Sequence, residues 1–215
     1  LLIEKQRGIT IRTSYVSFTN GDKTIQLLDT PGHIDFSSEV VRAINVLDVA
    51  ILVISGVEGI EAQTKVIWDM LNKREIPTFI FINKLDRMGT SYEGTLDKIR
   101  LLLTERAVSF VDIKLDGKIS VNKKNVKMLF EDCIINDPKI LEKYLNREIA
   151  VRDFNEYISQ LLKSNAIYPV YGGSTLYGIG IDVFLDGLLE YMPYTVLTPD
   201  NHINDNVFSL SLIHI

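Results

Sequence analysis

Thr78-Phe79-Ile80-Phe81-Ile82-Asn83-Lys84-Leu85-Asp86 carries a short apolar run directly into a charged loop. The apolar part has the length of a strand covered on both faces, the kind found in parallel sheets. Upstream, Val49-Ala50-Ile51-Leu52-Val53-Ile54-Ser55 is a second run of the same kind. Between them Val66, Ile67, Met70 and Leu71 recur at helical spacing, and Pro77 limits that helix. Leu96, Ile99, Leu102 and Leu103 mark the next helix; Phe36, Val40, Ala43, Ile44 and Leu47 mark an earlier one, with Ser37 and Ser38 available to cap it. Ile9–Phe18 and Ile25–Leu28 flank Asn20-Gly21 and predict two antiparallel strands joined by a tight turn. Strand and helix thus alternate, which predicts an α/β fold: a mostly parallel sheet flanked by helices.

The totals set the bounds. The chain has 215 residues, 46% of them hydrophobic, so one sizeable domain with a true core is expected and general disorder is excluded. No apolar run reaches the roughly 18 residues of a membrane-spanning helix. With 23 Lys+Arg against 28 Asp+Glu, the net charge of −5 argues against broad electrostatic binding of DNA. Cys133 is the single cysteine, so neither an intramolecular disulfide nor a cysteine metal cluster is expected, and a reduced, cytoplasmic setting follows.

Downstream of the alternating core, Ala107–Ala150 is less regular. It reads as an insertion of strands and one short helix, Pro138–Leu145, with Asn122-Lys123-Lys124-Asn125 as a solvated turn. Val151–Lys163 and Ile181–Tyr191 return to helical spacing, and Pro193 and Pro199 bracket a linker into the tail.

In such sheets ligands sit beyond the carboxyl ends of the strands, where three candidate groups fall. Asp29-Thr30-Pro31-Gly32-His33 follows one strand. Its carboxylate is suited to hold Mg²⁺ through water, Gly32 lets a backbone N–H approach a phosphate, and His33 could orient an attacking water. The ordinary alternative is an Asx-type turn. Asn83-Lys84-Leu85-Asp86 follows another: Asp86 can accept from N1–H and the exocyclic amine of guanine, a pair of donors adenine lacks. Asn83 can bond the base and brace neighbouring loops, and the Lys84 stem can lie on the ring. The alternative here is a solvated charged loop. Gly173-Ser174, after Ile167–Tyr171, could offer backbone N–H groups to the base carbonyl, although Gly-Ser pairs are common in turns. Gln6-Arg7-Gly8-Ile9-Thr10 precedes the first strand, and Thr10 could close over Mg²⁺ and a γ-phosphate as an order–disorder switch.

Taken together, RGIT at Arg7–Thr10, DTPGH at Asp29–His33, NKLD at Asn83–Asp86 and the late Gly173-Ser174 resemble the G domain of translational GTPases, the group containing elongation factor G. Within the group the chain is most similar to tetracycline-resistance ribosomal protection proteins, on Gln6 before Arg7, Asp29 at the head of DTPGH, and Ile76-Pro77-Thr78 leading into the strand before Asn83. The similarity runs from roughly Leu2 to Tyr194. It implies a P-loop NTPase-type GTP-binding domain over residues 1–194, interrupted by an insertion at about 107–150. Residues 195–215 would then form a linker and the truncated start of a following β-barrel. It implies GTP/GDP and Mg²⁺ as ligands, His33 as the catalytic residue, and Asp29, Thr30, Pro31, Gly32, His33, Asn83, Lys84, Asp86, Ser174 and Thr175 as GTP-binding residues. Thr10 and Asp29 would be the metal ligands. The implied partner is the ribosome, the implied role the release of tetracycline, and the implied state a monomer.

The resemblance also predicts a phosphate loop, GxxxxGK[ST], which these 215 residues lack; Gly117-Lys118 is followed by Ile119, and Gly21–Thr24 is a hairpin turn. The expectation is therefore a GTP hydrolase fragment, inactive by itself, whose sheet lacks its amino-terminal, central strand. Smaller departures are Val49 where Gly is common, Gly56 where Ala is common, and Thr175 where Ala is usual. Two other readings stay open: a housekeeping translocase of the elongation factor G type, and a non-hydrolysing interaction module that keeps the fold.

Overall fold

A computed structural model of the chain describes residues 14–20, 23–30, 37–45, 47–115, 118–192 and 207–214. Seven of its strands are β1 Ser14–Asn20, β2 Lys23–Thr30, β3 Val49–Ser55, β4 Thr78–Asn83, β5 Ala107–Ser109, β8 Tyr168–Gly172 and β9 Val207–His214. They form the main sheet, in the order β1-β2-β9-β3-β4-β8-β5. Only β1 runs antiparallel to its neighbour, and Asn20 pairs directly with Lys23 across a hairpin connection of two residues. All other neighbours are parallel. The expected α/β class is the observed one.

The two apolar runs behave as their composition requires. Every residue of β3 is buried, and so is β4 up to Asn83. Each Val, Ile, Leu or Phe so covered contributes on the order of 1.5–3 kcal/mol. Around this sheet lie α1 Ser37–Ile44, α2 Ala62–Lys73, α3 Tyr92–Leu102, α4 Val126–Ile134, α5 Pro138–Leu145, α6 Phe154–Lys163 and α7 Ile181–Tyr191. Local chemistry sets their starts. The Ser91 hydroxyl accepts from Gly94 N–H at 3.0 Å, Asn125 caps α4, and Asp137 with Pro138 opens α5. None of the helices described is long and apolar enough to cross a membrane.

Within residues 107–150, β5 joins the main sheet beside β8, whereas β6 Val111–Leu115 and β7 Ile119–Lys123 form a separate hairpin. The sequence pattern predicts one helix here; there are two. In α4, Leu129, Phe130, Cys133 and Ile134 are buried, and the Phe130 ring stacks on Phe154 of α6 with centroids 4.0 Å apart. Lys123 and Asn125, expected in a solvated turn, end β7 and cap α4.

The tail segment Val207–His214 joins the main sheet in this chain. β9 lies between β2 and β3, parallel to both, pairing residues 207–213 with Thr24–Thr30 and residues 210–214 with Val49–Val53. An empty slot there would leave two facing rows of backbone donors and acceptors without partners, and a strand laid between them satisfies both rows.

Candidate functional site

β3, β4 and β8 end side by side, and their following loops are fastened to one another. Gly56 N–H donates to the Asn83 carbonyl at 2.8 Å, Gly173 N–H to the Ile82 carbonyl at 2.9 Å, and Leu85 N–H to the Gly173 carbonyl at 3.1 Å. Buried Leu85 anchors the segment between Lys84 and Asp86, so the two polar residues flank an apolar foot.

Asn83 is the hub of this junction. Its Oδ1 accepts from Lys84 N–H at 2.7 Å, from Thr175 N–H at 3.0 Å and from the Thr175 hydroxyl at 3.1 Å, while its Nδ2 donates to Thr175 Oγ1 at 2.9 Å. The bond to Lys84 N–H accompanies a left-handed backbone at Lys84, φ +63°, a conformation rare for a residue with a Cβ and concentrated at functional sites. Asp86 is recessed, with its side chain 14% exposed, and Arg87 Nε lies 3.7 Å from its Oδ2. An open cavity of about 650 Å³ is lined by Val57, Glu58, Lys84, Asp86, Arg87, Met88 and Tyr177.

The Gly173-Ser174 loop differs from expectation. Its backbone donors are spent internally: Gly173 on Ile82, Ser174 on the Ile179 carbonyl at 3.0 Å, Thr175 on Asn83. They are therefore not free for a ligand carbonyl in this conformation. What remains is the Ser174 hydroxyl, which is fully buried and has no hydrogen-bond partner. A buried hydroxyl left unpaired costs free energy that a ligand acceptor would recover.

Asp29 and Thr30 end β2 at the same end of the sheet, and Thr30 is buried. Three interstrand steps separate β2 from β4, about 14 Å across the sheet. Thr10, Pro31, Gly32 and His33 lie outside the described residues. Among the described residues no three His, Cys, Asp or Glu gather in a metal-holding group.

Two residues of the site are not singled out by the sequence motifs. Ser55, ending β3, hydrogen-bonds through its hydroxyl to the Glu58 carboxylate, and Glu58 accepts from Lys84 Nζ at 3.2 and 3.3 Å. The Ser-x-x-Glu spacing at a strand end is the signal that was available. Below the loops, the Tyr92 phenol pairs with the Ser109 hydroxyl at 2.7 Å and donates to the Val170 carbonyl; burial raises its pKa above the ordinary tyrosine value.

Comparison with known proteins gives this geometry a family. Residues 1–194 match the family described as the elongation factor Tu GTP binding domain. The chain is 37% identical to the tetracycline resistance protein TetP of Clostridium perfringens over 97% of its own length and 33% of the relative's. Its identity to the oxytetracycline resistance protein of Streptomyces rimosus is also 37%, over the same shares of the two chains. Against TetM of Streptomyces lividans it is 34%, over 89% of this chain and 30% of the relative. The chain thus spans about a third of the length of the curated relatives it matches. A crystal structure of a protein from Thermus thermophilus superposes with a TM-score of 0.75 over 88% of this chain and 33% of its own, at 21% identity, and so supports the fold. The chain belongs to the elongation factor Tu GTP-binding-domain family.

Proposed function

We propose that the chain is the GTP-binding and GTP-hydrolysing domain of a ribosome-associated translational GTPase of the ribosomal protection type, which releases tetracycline in the cytoplasm. The observation that carries the guanine-binding part is the Asn83 junction, which presents recessed Asp86 beside an open cavity. Asp86 would accept two donors from guanine, Lys84 would lay its stem on the ring, and Asn83 with Thr175 would hold the two loops in register. Ser174 would contribute its unpaired hydroxyl. Adenine presents no matching pair of donors, and a desolvated carboxylate left unpaired rejects it.

The phosphate end is assigned to the loop after β2. Asp29, a hard oxygen donor at a strand end, fits Mg²⁺, which prefers one or two carboxylates and retained waters, and Thr10 would add a hydroxyl. When bound, the ion neutralises charge on the phosphates. Gly32 would admit the γ-phosphate and His33 would orient the attacking water. The protection role is supported by the kinship with the tetracycline resistance proteins.

Calorimetric titration of the chain with GDP and with ADP tests the base assignment. Binding of GDP with ADP at least about tenfold weaker is expected, and equal affinities sink it. In Asp86→Asn the amide donates where the carboxylate accepted, so preference should move to xanthosine diphosphate, whose ring carries a carbonyl in place of the amine. For a protein that also carries a phosphate loop, ribosomes should stimulate hydrolysis of GTP and not ATP. An unchanged stimulated rate in His33→Ala removes His33 from the mechanism.

A further inference from the structure

Glu58 stands on the loop after β3, 26 residues before Lys84, yet its two carboxylate oxygens lie 3.2 and 3.3 Å from the Lys84 ammonium. It is itself held. The Ser55 hydroxyl donates to it, and Ser55 Oγ accepts from the N–H groups of Val57 and Glu58 at 3.2 and 3.3 Å. Gly59 N–H closes the turn on the Ser55 carbonyl at 2.8 Å. Glu58, Lys84, Asp86 and Arg87 all line the same open cavity, so one ammonium and one guanidinium face two carboxylates there.

We infer that Glu58 is a positioning residue for base recognition: it holds the Lys84 ammonium so that Asp86 stays free of it to receive donors from the base. The inference rests on the guanine-binding reading above. A lysine is a flexible point charge with several rotamers. Without Glu58, the other carboxylate lining the cavity is Asp86, and pairing with it would occupy the acceptor that distinguishes guanine from adenine. Holding the ammonium at Glu58 also keeps the lysine stem extended along one wall, where a planar ring can lie against it. Lys84 and Glu58 side chains are both nearly half exposed, 47% and 46%, so the effect belongs to the modest range of surface ion pairs.

The test is the ratio of GDP to ADP affinity in the 215-residue chain and three variants: Glu58→Gln, Lys84→Met and the double variant. Gln keeps the reach and the acceptor for Ser55 while removing the charge. The ratio should fall about two- to fivefold in Glu58→Gln, the span expected of an exposed ion pair. In the Lys84→Met background, where no ammonium remains to misplace, the Glu58 substitution should change nothing. Raising KCl from about 0.05 to about 0.5 M should raise the ratio in Glu58→Gln, where it screens the pairing of Lys84 with Asp86, and should not raise it in the wild-type chain. An unchanged ratio in Glu58→Gln, equal salt slopes, or the same loss in the Lys84→Met background overturns the role of Glu58 while the guanine reading stands. A wild-type chain that does not prefer GDP overturns that reading, and the inference with it.

Discussion

Replacing Gly173 by alanine puts a methyl group where the backbone already is. A Cβ there would lie 2.0 Å from the Ile179 carbonyl oxygen, 3.0 Å from its carbon and 3.3 Å from Gly180 Cα. No side chain can rotate away from this contact, so the 173–180 loop must open or the end of β8 must shift. Four hydrogen bonds meet at that point: Gly173 N–H to Ile82, Leu85 N–H to Gly173, and the reciprocal pair between Ser174 and Ile179 at 3.0 Å each. Losing two of them at about 1 kcal/mol each, with about 2 kcal/mol of overpacking, gives a destabilisation of about 4 kcal/mol. Gly59 is the control, for its φ of +77° strains any substituent while its Cβ would meet nothing within 4 Å. Alanine there should cost about 1 kcal/mol. At roughly 3 °C per kcal/mol for a chain of this size, the melting midpoint should fall about 12 °C in Gly173→Ala and about 3 °C in Gly59→Ala. Circular dichroism melts of the two variants and the wild type decide the matter. A Gly173→Ala chain that melts within a few degrees of wild type, or no lower than Gly59→Ala, refutes the claim that this loop is closed by backbone contact.

Leu210→Pro removes a backbone N–H from a strand paired on both sides, where proline is not tolerated, and should abolish the cooperative melt; a native-like melt would show that β9 is not in the sheet. Phe130→Ala removes a fully buried ring stacked on Phe154 and should cost about 3–5 kcal/mol in denaturant unfolding, with a loss under about 1 kcal/mol contradicting the packing described. Burial raises the pKa of Tyr92 and Tyr171 above that of unfolded tyrosine, about 10. Both phenols bind their protons more tightly when folded, so their contribution is complete below about pH 10 and is lost as pH rises above it. Stability that stays flat from about pH 9 to about pH 12 would show these phenols to be accessible.

How much of the fold could be read in advance depended on how strongly each segment's pattern was tied to its surroundings. β3 and β4 are unbroken apolar runs because both faces are covered, and no other arrangement suits such a run of six or seven residues. The tail is harder to place for the opposite reason. Phe208, Leu210 and Leu212 alternate with Ser209 and Ser211, a period of two that describes a strand with one wet face, as at a barrel wall. Its place in the middle of the sheet follows from two backbone edges far upstream, Thr24–Thr30 and Val49–Val53, which no local pattern in the tail encodes. Helix α4 was hidden for a different reason. Its apolar positions carry helical spacing, but the polar stretch Asn122–Asn125 before it has the composition of a solvated turn, while in the fold Asn125 caps the helix.

The same division runs through the site. Asn83, Lys84 and Asp86 are neighbours in the chain, so their joint placement follows from β4 alone. Their partners come from other loops. Thr175 reaches Asn83 across 92 residues and Glu58 reaches Lys84 across 26, contacts that exist only because β3, β4 and β8 end at one level. The Gly173-Ser174 loop shows what such closure costs a motif-based expectation. Left-handed backbones at Gly178 and Gly180, φ +69° and +80°, fold the segment back so that Ser174 and Ile179 satisfy each other. A tight turn of this kind must spend its own N–H groups to stay closed, so a motif recognised for donating them leaves the hydroxyl of Ser174 as the group the closed loop has not used.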